Sequence, residues 1–438
     1  MPLLTAKCSI VSNTMGGGGS LGSYWIQVVG DTTNDVARGV TLYNNEIYFC
    51  GTFGANGGVL KTDLDGNILW CKTYTAGTNY TIAAIEADSS GNLYTAGYDG
   101  GVNWVVGKLD NNGSGIWHRY LGETTNSTDR AFGINLNSSD EPVLSGFVTN
   151  SSTGTDIAIA KWSTSGVLSY TQQARDFDAE QANRCAINAS DYLLVPGYRS
   201  ISGYNYASMI VFAPSGTATA VKYSLSAGSF AQSQFNAAAV DSNGDYYWMG
   251  VVQVFGGTND LYLLKTNSSG SIIWQRTLED TGTEIGQSIT VDASNNVYVA
   301  GYTTSQGQGS NEFVIAKFDS SGTLLWQNVL GSVGNDVNLG YLELDDYDGL
   351  VVIGYTGATG SGSNEWLLSR LPTDGTGQGT YSIDGVDYVY QTATFTVGTP
   401  THTLSPWSPT TNSANVVEGS LSVIHASASP IQYITAVT

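Results

Sequence analysis

The chain is poor in charge, and poorest in positive charge. Only 12% of its 438 residues are Asp, Glu, Lys or Arg, about half the usual share. Lys and Arg number 16 against 37 Asp and Glu, a net charge of −21. Such a chain repels phosphate backbones and anionic bilayers, so no nucleic-acid partner is expected. Its three His (118, 402 and 425) stand at no ligand spacing, so no zinc site is expected. Its four Cys (8, 50, 71 and 185) follow no disulfide framework and read as reduced structural thiols. No apolar run approaches the ~20 residues of a membrane helix, so no membrane insertion is expected. The first residues lack a basic start followed by an apolar core, so no signal peptide is expected. A 3.6-residue periodicity of useful length is also missing, so helix should be nearly absent. What abounds is Gly, with 54 residues, beside 26 Tyr and 10 Trp, and the hydrophobic share of 41% excludes global disorder.

Self-similarity sets the architecture. Seven times an apolar stretch ends in Gly: Gly51, Gly97, Gly146, Gly197, Gly250, Gly301 and Gly354, at spacings of 46, 49, 51, 53, 51 and 53. After each, a second stretch ends on a basic residue: Lys61, Lys108, Lys161, Lys265, Lys317 and Arg370, with Phe212 in the fourth copy. A turn Gly follows (66, 113, 166, 216, 270, 322 and 375), then an aromatic: Trp70, Trp117, Tyr170, Tyr223, Trp274 and Trp326. One more short strand precedes each Gly strand, as at Ile82–Ala87. Four short strands in about 50 residues predict a β-propeller blade. Seven Gly strands but six following aromatics leave one outer strand missing, and Tyr24-Trp25-Ile26 at the front can supply it. The expected fold is therefore all-β: a seven-bladed β-propeller closed by the N-terminal strand, which should pair with the strand ending at Arg370. The recurring cation is expected to lie along the sheet and pair with a turn carboxylate.

The run from Lys317 to Trp326, with its copies at Lys61–Trp70, Lys108–Trp117 and Lys265–Trp274, resembles the bacterial β-propeller repeat family rich in Asp-x-x-Gly-Asn-x-Tyr-Val-x-Gly. It is also similar, more distantly, to the tryptophan-docking repeats of quinoprotein propellers. That second likeness would imply a quinone held with calcium and cationic contacts. Here the cations recur from blade to blade, so no cofactor is expected. The overall style, with a Ser/Thr-rich tail and no leader, resembles virion proteins of marine tailed bacteriophages. That implies a virion location after synthesis in the host cytoplasm.

Three regions follow. Residues 1–22 form a Gly-rich arm containing Gly16–Gly19, a tether unless something orders it. Residues 23–375 are the propeller. Residues 376–438 have no Lys or Arg, carry Pro400, Pro406, Pro409 and Pro430, and alternate like strands. Their pieces are too short for a sheet alone and gain most by adding to an existing sheet edge. This segment is expected to extend from the propeller as an anchor on other virion proteins, with residues 1–22 a second contact.

Candidate chemistry is sparse. Asp63-Leu-Asp65-Gly66 opens like a calcium loop, but Tyr74 stands where the closing Glu belongs, and such Asp-rich turns read as caps. No metal is expected. His118 lies in an outer strand, away from any cleft, so no nucleophilic triad is expected. Acidic clusters at Asp176/Asp178/Glu180 and Glu279/Asp280/Glu284 leave a glycan hydrolase or lyase as one alternative. The main reading is non-enzymatic. Turns on one propeller face are short and uniform, while the connections on the other vary, which marks the second as a display face. It carries Tyr198, Tyr204, Asn205, Tyr206, Asn259, Tyr302 and Tyr355, which suit a host-surface glycan or protein. The expected protein is a virion surface structure, tail-fibre-like or a capsid appendage. The other alternative is a leaderless-secreted bacterial propeller that binds carbohydrate.

Overall fold

The computed structural model describes residues 5–9, 22–30, 33–75, 79–100, 102–122, 128–150, 154–176, 179–225, 230–254, 256–337, 341–358, 364–412, 417–420, 424–428 and 431–434. Among them there is no helix. The strands form seven antiparallel sheets, the blades of a propeller. Blade 1 runs outward through Asp35–Tyr43, Glu46–Phe53, Asn56–Asp63 and Ile68–Thr75. Blades 2 to 6 repeat this order. In blade 7 the inner three positions come from residues 336–372 and the fourth is Trp25–Gly30. Trp25 pairs with Arg370 and Val29 with Trp366, so the N-terminal strand closes the ring as expected.

The core is divided into seven apolar clusters, one at each junction between neighbouring blades. Polar contacts lock the same junctions. The outer-strand aromatic of each blade lies on the turn Gly of the next, as Trp25 does on Gly66 and Trp117 on Gly166. The indole N–H then donates to a carbonyl of that turn: Trp25 to Leu64, Trp117 to Thr164, Trp274 to Ser320 and Trp326 to Thr373, each at 3.1 Å. Gly66 has φ +82°, and a Cβ there would meet the Trp25 ring. That explains why the turn Gly and the aromatic repeat together.

The recurring cation finds its carboxylate inside its own blade. Lys61 meets Glu46 at 2.7 Å, Lys161 meets Glu141 at 2.7 Å, Lys265 meets Asp241 at 2.9 Å and Arg370 meets Asp345 at 2.6 Å. Each partner sits in the turn between the first two strands. The ammonium also lies over an aromatic ring, as that of Lys108 does over Tyr94 at 4.6 Å and that of Lys317 over Tyr298 at 4.6 Å. In blade 4 the register corrects the expected residue: Val211, not Phe212, faces Leu194 at the cation position, and both Val211 and Phe212 are buried. Cys50, Cys71 and Cys185 are buried free thiols.

The tail corrects one expectation. It does not extend away from the propeller. It runs backwards around the rim and adds a strand to the outer edge of every blade. Val386–Thr392 joins blade 6, Thr396–Gly398 blade 5, Leu404–Pro406 blade 4 and Thr410–Asn412 blade 3. Val417–Ser420 joins blade 2 and Ile424–Ala428 blade 1. Ile431–Ile434 runs parallel to Thr5–Ser9, itself paired to Trp25–Gly30 in blade 7. Thr5–Ser9 therefore belongs to a sheet, whereas Gly16–Gly19 lies outside the described residues. The prolines explain the path. Pro400 and Pro409 fall between strands, and Pro406 ends one, so those pieces stop at one blade edge and the chain steps to the next. Apolar side chains plug the rim. Ile383, Tyr388, Tyr390, Phe395 and Trp407 are buried among three of the junction clusters.

Candidate functional site at the display face

The two faces differ in how their backbones are held. On one face, turns recur with a single Asx or Ser cap. Asp88 accepts from the Ser90 and Asn92 amides, Asp241 from Asn243 and Asp245, and Asp319 from Ser321 and Thr323. Asp63 does the same for Asp65 and Asn67. These carboxylates cap turns, as expected of them.

On the other face the connections differ in length. They are tied down by carboxylates at the start of the inner strands. Asp35 accepts from the Gly54 amide at 2.8 Å and Asp129 from Thr149 at 2.7 Å. Glu284 accepts from the Thr303 and Ser305 hydroxyls at 2.9 and 2.6 Å. Glu180 accepts from the Asp176 amide at 3.3 Å. Glu180 and Glu284 are fully buried. Burial pushes Glu180 up to about 8 and raises Glu284 as well. Asp178 lies outside the described residues. Glu180 and Glu284 thus hold loops, with their side chains buried.

The sequence-predicted display residues divide. In blade 4 the strands Leu193–Ile201 and Tyr204–Phe212 run into a two-residue turn, Ser202-Gly203, with φ of 54° and 84°. Positive φ at both positions matches the right-handed twist of the hairpin. The stretch 198–206, which holds four of the expected display residues, is therefore mostly strand. Tyr204 stands at its tip, 46% exposed, but Tyr206 is 7% exposed and turned into the sheet. Burial removes Tyr206 from the display set. Asn205 is also held within the hairpin, accepting from the Ser200 hydroxyl at 2.5 Å. Tyr198, Asn259, Tyr302 and Tyr355 are half-buried. Tyr302 and Tyr355 occupy neighbouring blades close enough to raise the Tyr302 pKa together with burial, which acts first.

Sequence reasoning missed the residues on the axis. In blades 1, 2, 3, 5 and 6 the inner strand carries a bulge. Ala37 pairs with Gly51 and Gly39 with Cys50, so Arg38 has no strand partner and turns inward. Ala83, Phe132, Asn236 and Gln287 are skipped in the same way. The repeating Gly sits opposite the residue before the bulge, where a Cβ at Gly250 would strike the Gln234 carbonyl. These bulge residues, with Asn183 and Arg184 of blade 4, line a pocket of about 150 Å³. The amides stitch blade to blade: Asn183 donates to the Phe235 carbonyl and Asn236 to that of Gly286, both at 2.7 Å. Arg184 donates to the Gln287 carbonyl at 3.0 Å and lies over the Tyr341 ring at 4.9 Å. Aromatics flank the pocket: Phe132 packs on Tyr98, and Arg130 covers Tyr98 at 5.0 Å.

One stretch carries the relationship. Residues 273–307 match the β-propeller repeat (SBBP) family. The match covers the outer strand of blade 5 and the first two strands of blade 6. No curated protein matches the chain. Among solved structures, a protein from Lactobacillus plantarum is 14% identical, with TM-score 0.44, over 74% of this chain and 94% of that one. The polysaccharide lyase Uly1 is 11% identical, with TM-score 0.48, over 85% and 98%. The α-L-arabinofuranosidase Arb93A from Fusarium graminearum is 11% identical, with TM-score 0.40, over 66% and 91%.

At the other end of the axis Glu86 and Glu343 line a second, open cavity. Glu86 accepts from the Thr41 hydroxyl at 3.3 Å and the Asn135 amide at 3.4 Å. Burial, then the Glu343 charge, pushes Glu86 up to about 8, and burial takes Glu343 to about 7. Folded values above the unfolded ~4.3 mean that the folded chain binds more protons. Their contribution is therefore most favourable below the unfolded value and declines as pH rises toward 7–8. Melting temperatures measured from about pH 5 to 8 should fall less steeply for Glu86→Gln than for the parent chain. Identical slopes would show that this pair does not titrate as described.

Proposed function

We propose that this protein is a non-catalytic surface-recognition propeller, carried on the outside of a tailed-bacteriophage virion, whose variable face binds polar glycans of the host surface. The observation that carries the reading is the contrast between the faces. One repeats the same capped turns, while the other has connections of differing length and presents Tyr204, Tyr302 and Tyr355. Aromatic rings beside amide groups suit sugar faces and hydroxyls. The carboxylates of that face described above support a non-catalytic role, because they are spent on loop amides and hydroxyls.

Retention of the full chain on a panel of isolated bacterial surface polysaccharides tests this. Each lost aromatic contact should cost about 0.5–1.5 kcal/mol, so Tyr204→Ala and Tyr302→Ala should each weaken retention roughly two- to tenfold. Wild-type retention by both variants would move the ligand elsewhere. Shortening of a polysaccharide during the assay would replace the non-catalytic reading with a glycan-cleaving one. Mass spectrometry of purified particles tests the virion placement, and absence of the chain there would refute it.

A further inference from the structure

We propose that the axial pocket is a binding site for a small oxyanion, a carboxylate, sulfate or phosphate group, held between Arg38 and Arg184. The site is made by irregular inner strands. In blade 1 the bulge leaves Arg38 unpaired and aims it at the axis. In blade 4 the inner strand is broken between Ala182 and Ala186, and the break brings Arg184 to the same place. The chain has 16 cations in all and carries a net charge of −21. Two of those cations share one pocket of about 150 Å³ whose other five lining residues are neutral.

A pair of guanidinium groups in one confined space repels itself, and the Arg38 charge, after burial, lowers the Arg184 pKa. The other recurring cations are paired with carboxylates inside their blades. Arg38 differs. It makes no salt bridge with a described residue, and its Nε is buried without an acceptor. Glu86 and Glu343 line the cavity at the opposite end of the axis, and Glu86 is already engaged by Thr41 and Asn135. The Tyr341 ring packs against Arg184 on one side, 4.9 Å from ring centre to guanidinium carbon. An oxyanion between the two arginines would accept charge-assisted hydrogen bonds and cancel the repulsion. The pocket is large enough for such a group and too small for an oligosaccharide. The ligand is thus either a free anion or the acidic group of a larger molecule lying on the display face. This proposal goes beyond the recognition reading, because a pocket that holds free sulfate stands even if the face binds no glycan.

Titration calorimetry on the full chain tests it, with sodium sulfate and sodium glucuronate as probes and sodium chloride and glucose as controls. We expect one saturable site for sulfate, glucuronate or both, weakened at least tenfold in Arg38→Gln and in Arg184→Gln. Arg184 holds the Gln287 carbonyl, so its variant can also disturb the ring. Arg38 donates no hydrogen bond to a described residue, so Arg38→Gln carries the test, with a melting temperature in anion-free buffer no lower than the parent's as its folding control. Binding of both probes assigns a free oxyanion, and binding of glucuronate alone assigns an acidic saccharide. Absence of saturable binding by either probe, equal binding by the Arg38 variant, or equal binding of glucose would overturn the proposal.

Discussion

A chain ending at Gly375 is expected to melt well below the full chain and to self-associate. The truncation strips the rim strand from every blade. It uncovers the outer strands of blades 1 to 6, and Thr5–Ser9 at the edge of blade 7, each a row of unpaired backbone groups that can template pairing with another molecule. It also removes Ile383, Tyr388, Tyr390, Phe395 and Trp407 from the junction clusters they plug. Burial of five such side chains is worth roughly 10 kcal/mol gross, much of it offset by the entropy of ordering the tail. A fall in melting temperature on the order of 10 °C is the expected net result. Trp407→Ala isolates one plug. Its indole sits in the cluster between blades 3 and 4 under the Arg199 guanidinium, 5.4 Å from the ring. That substitution should cost about 3–5 kcal/mol. Calorimetry and light scattering check both proteins. A truncated chain that melts like the parent and stays monomeric would show that the rim strands contribute little.

The repeat made the fold readable because each signature residue answers a local demand that recurs at every blade. The Gly strand faces a bulge, the turn Gly faces an aromatic ring, and the cation faces a turn carboxylate. Counting these pairs was enough to find the missing outer strand at Trp25. The tail was half readable. Its β-forming pieces and its prolines were visible, and so was its need for a sheet edge. Which edge it takes depends on where the chain leaves blade 7, and no local pattern encodes that. The axis was not read, although its signal was present. Arg38 lies 13 residues before Gly51, and Ala83 lies 14 before Gly97. In blades 1, 2, 3, 5 and 6 the residue at that offset from the repeating Gly is the one a bulge turns inward. Alternation alone places these residues on a strand face and hides them. Tyr206 was misplaced for a related reason. A loop was drawn by alignment of repeats, while the Ser202-Gly203 turn extends the hairpin and buries the ring.

Removing residues 1–29 is expected to damage the ring more than the loss of one strand elsewhere in sequence would suggest. Six blades are continuous in the chain, whereas blade 7 is assembled from both ends of the propeller. Trp25–Gly30 carries five residue pairs to the strand ending at Pro372, from Trp25–Arg370 to Val29–Trp366. It also reaches across to blade 1, where Trp25 donates to the Leu64 carbonyl at 3.1 Å and Gln27 to that of Gly66 at 2.6 Å. Ile26 and Val28 fill the cluster shared with blade 6, and Trp25 and Val29 the one shared with blade 1. One strand therefore fastens two junctions. A ring opened there leaves blades 6 and 1 each with one poorly covered face, and each junction then unfolds with support from one side only. The melting transition should fall by more than ~10 °C and broaden. A synthetic peptide covering residues 23–31 should restore part of that loss when added in excess, because it can re-pair with the strand that ends at Pro372. Trp25→Ala in the peptide should remove most of the rescue, since large-to-small changes of buried aromatics cost about 3–5 kcal/mol. A shortened chain that melts sharply at the parent temperature would refute closure by this strand. Rescue by the substituted peptide at parent strength would place the closing energy in the backbone pairing rather than in the indole lock.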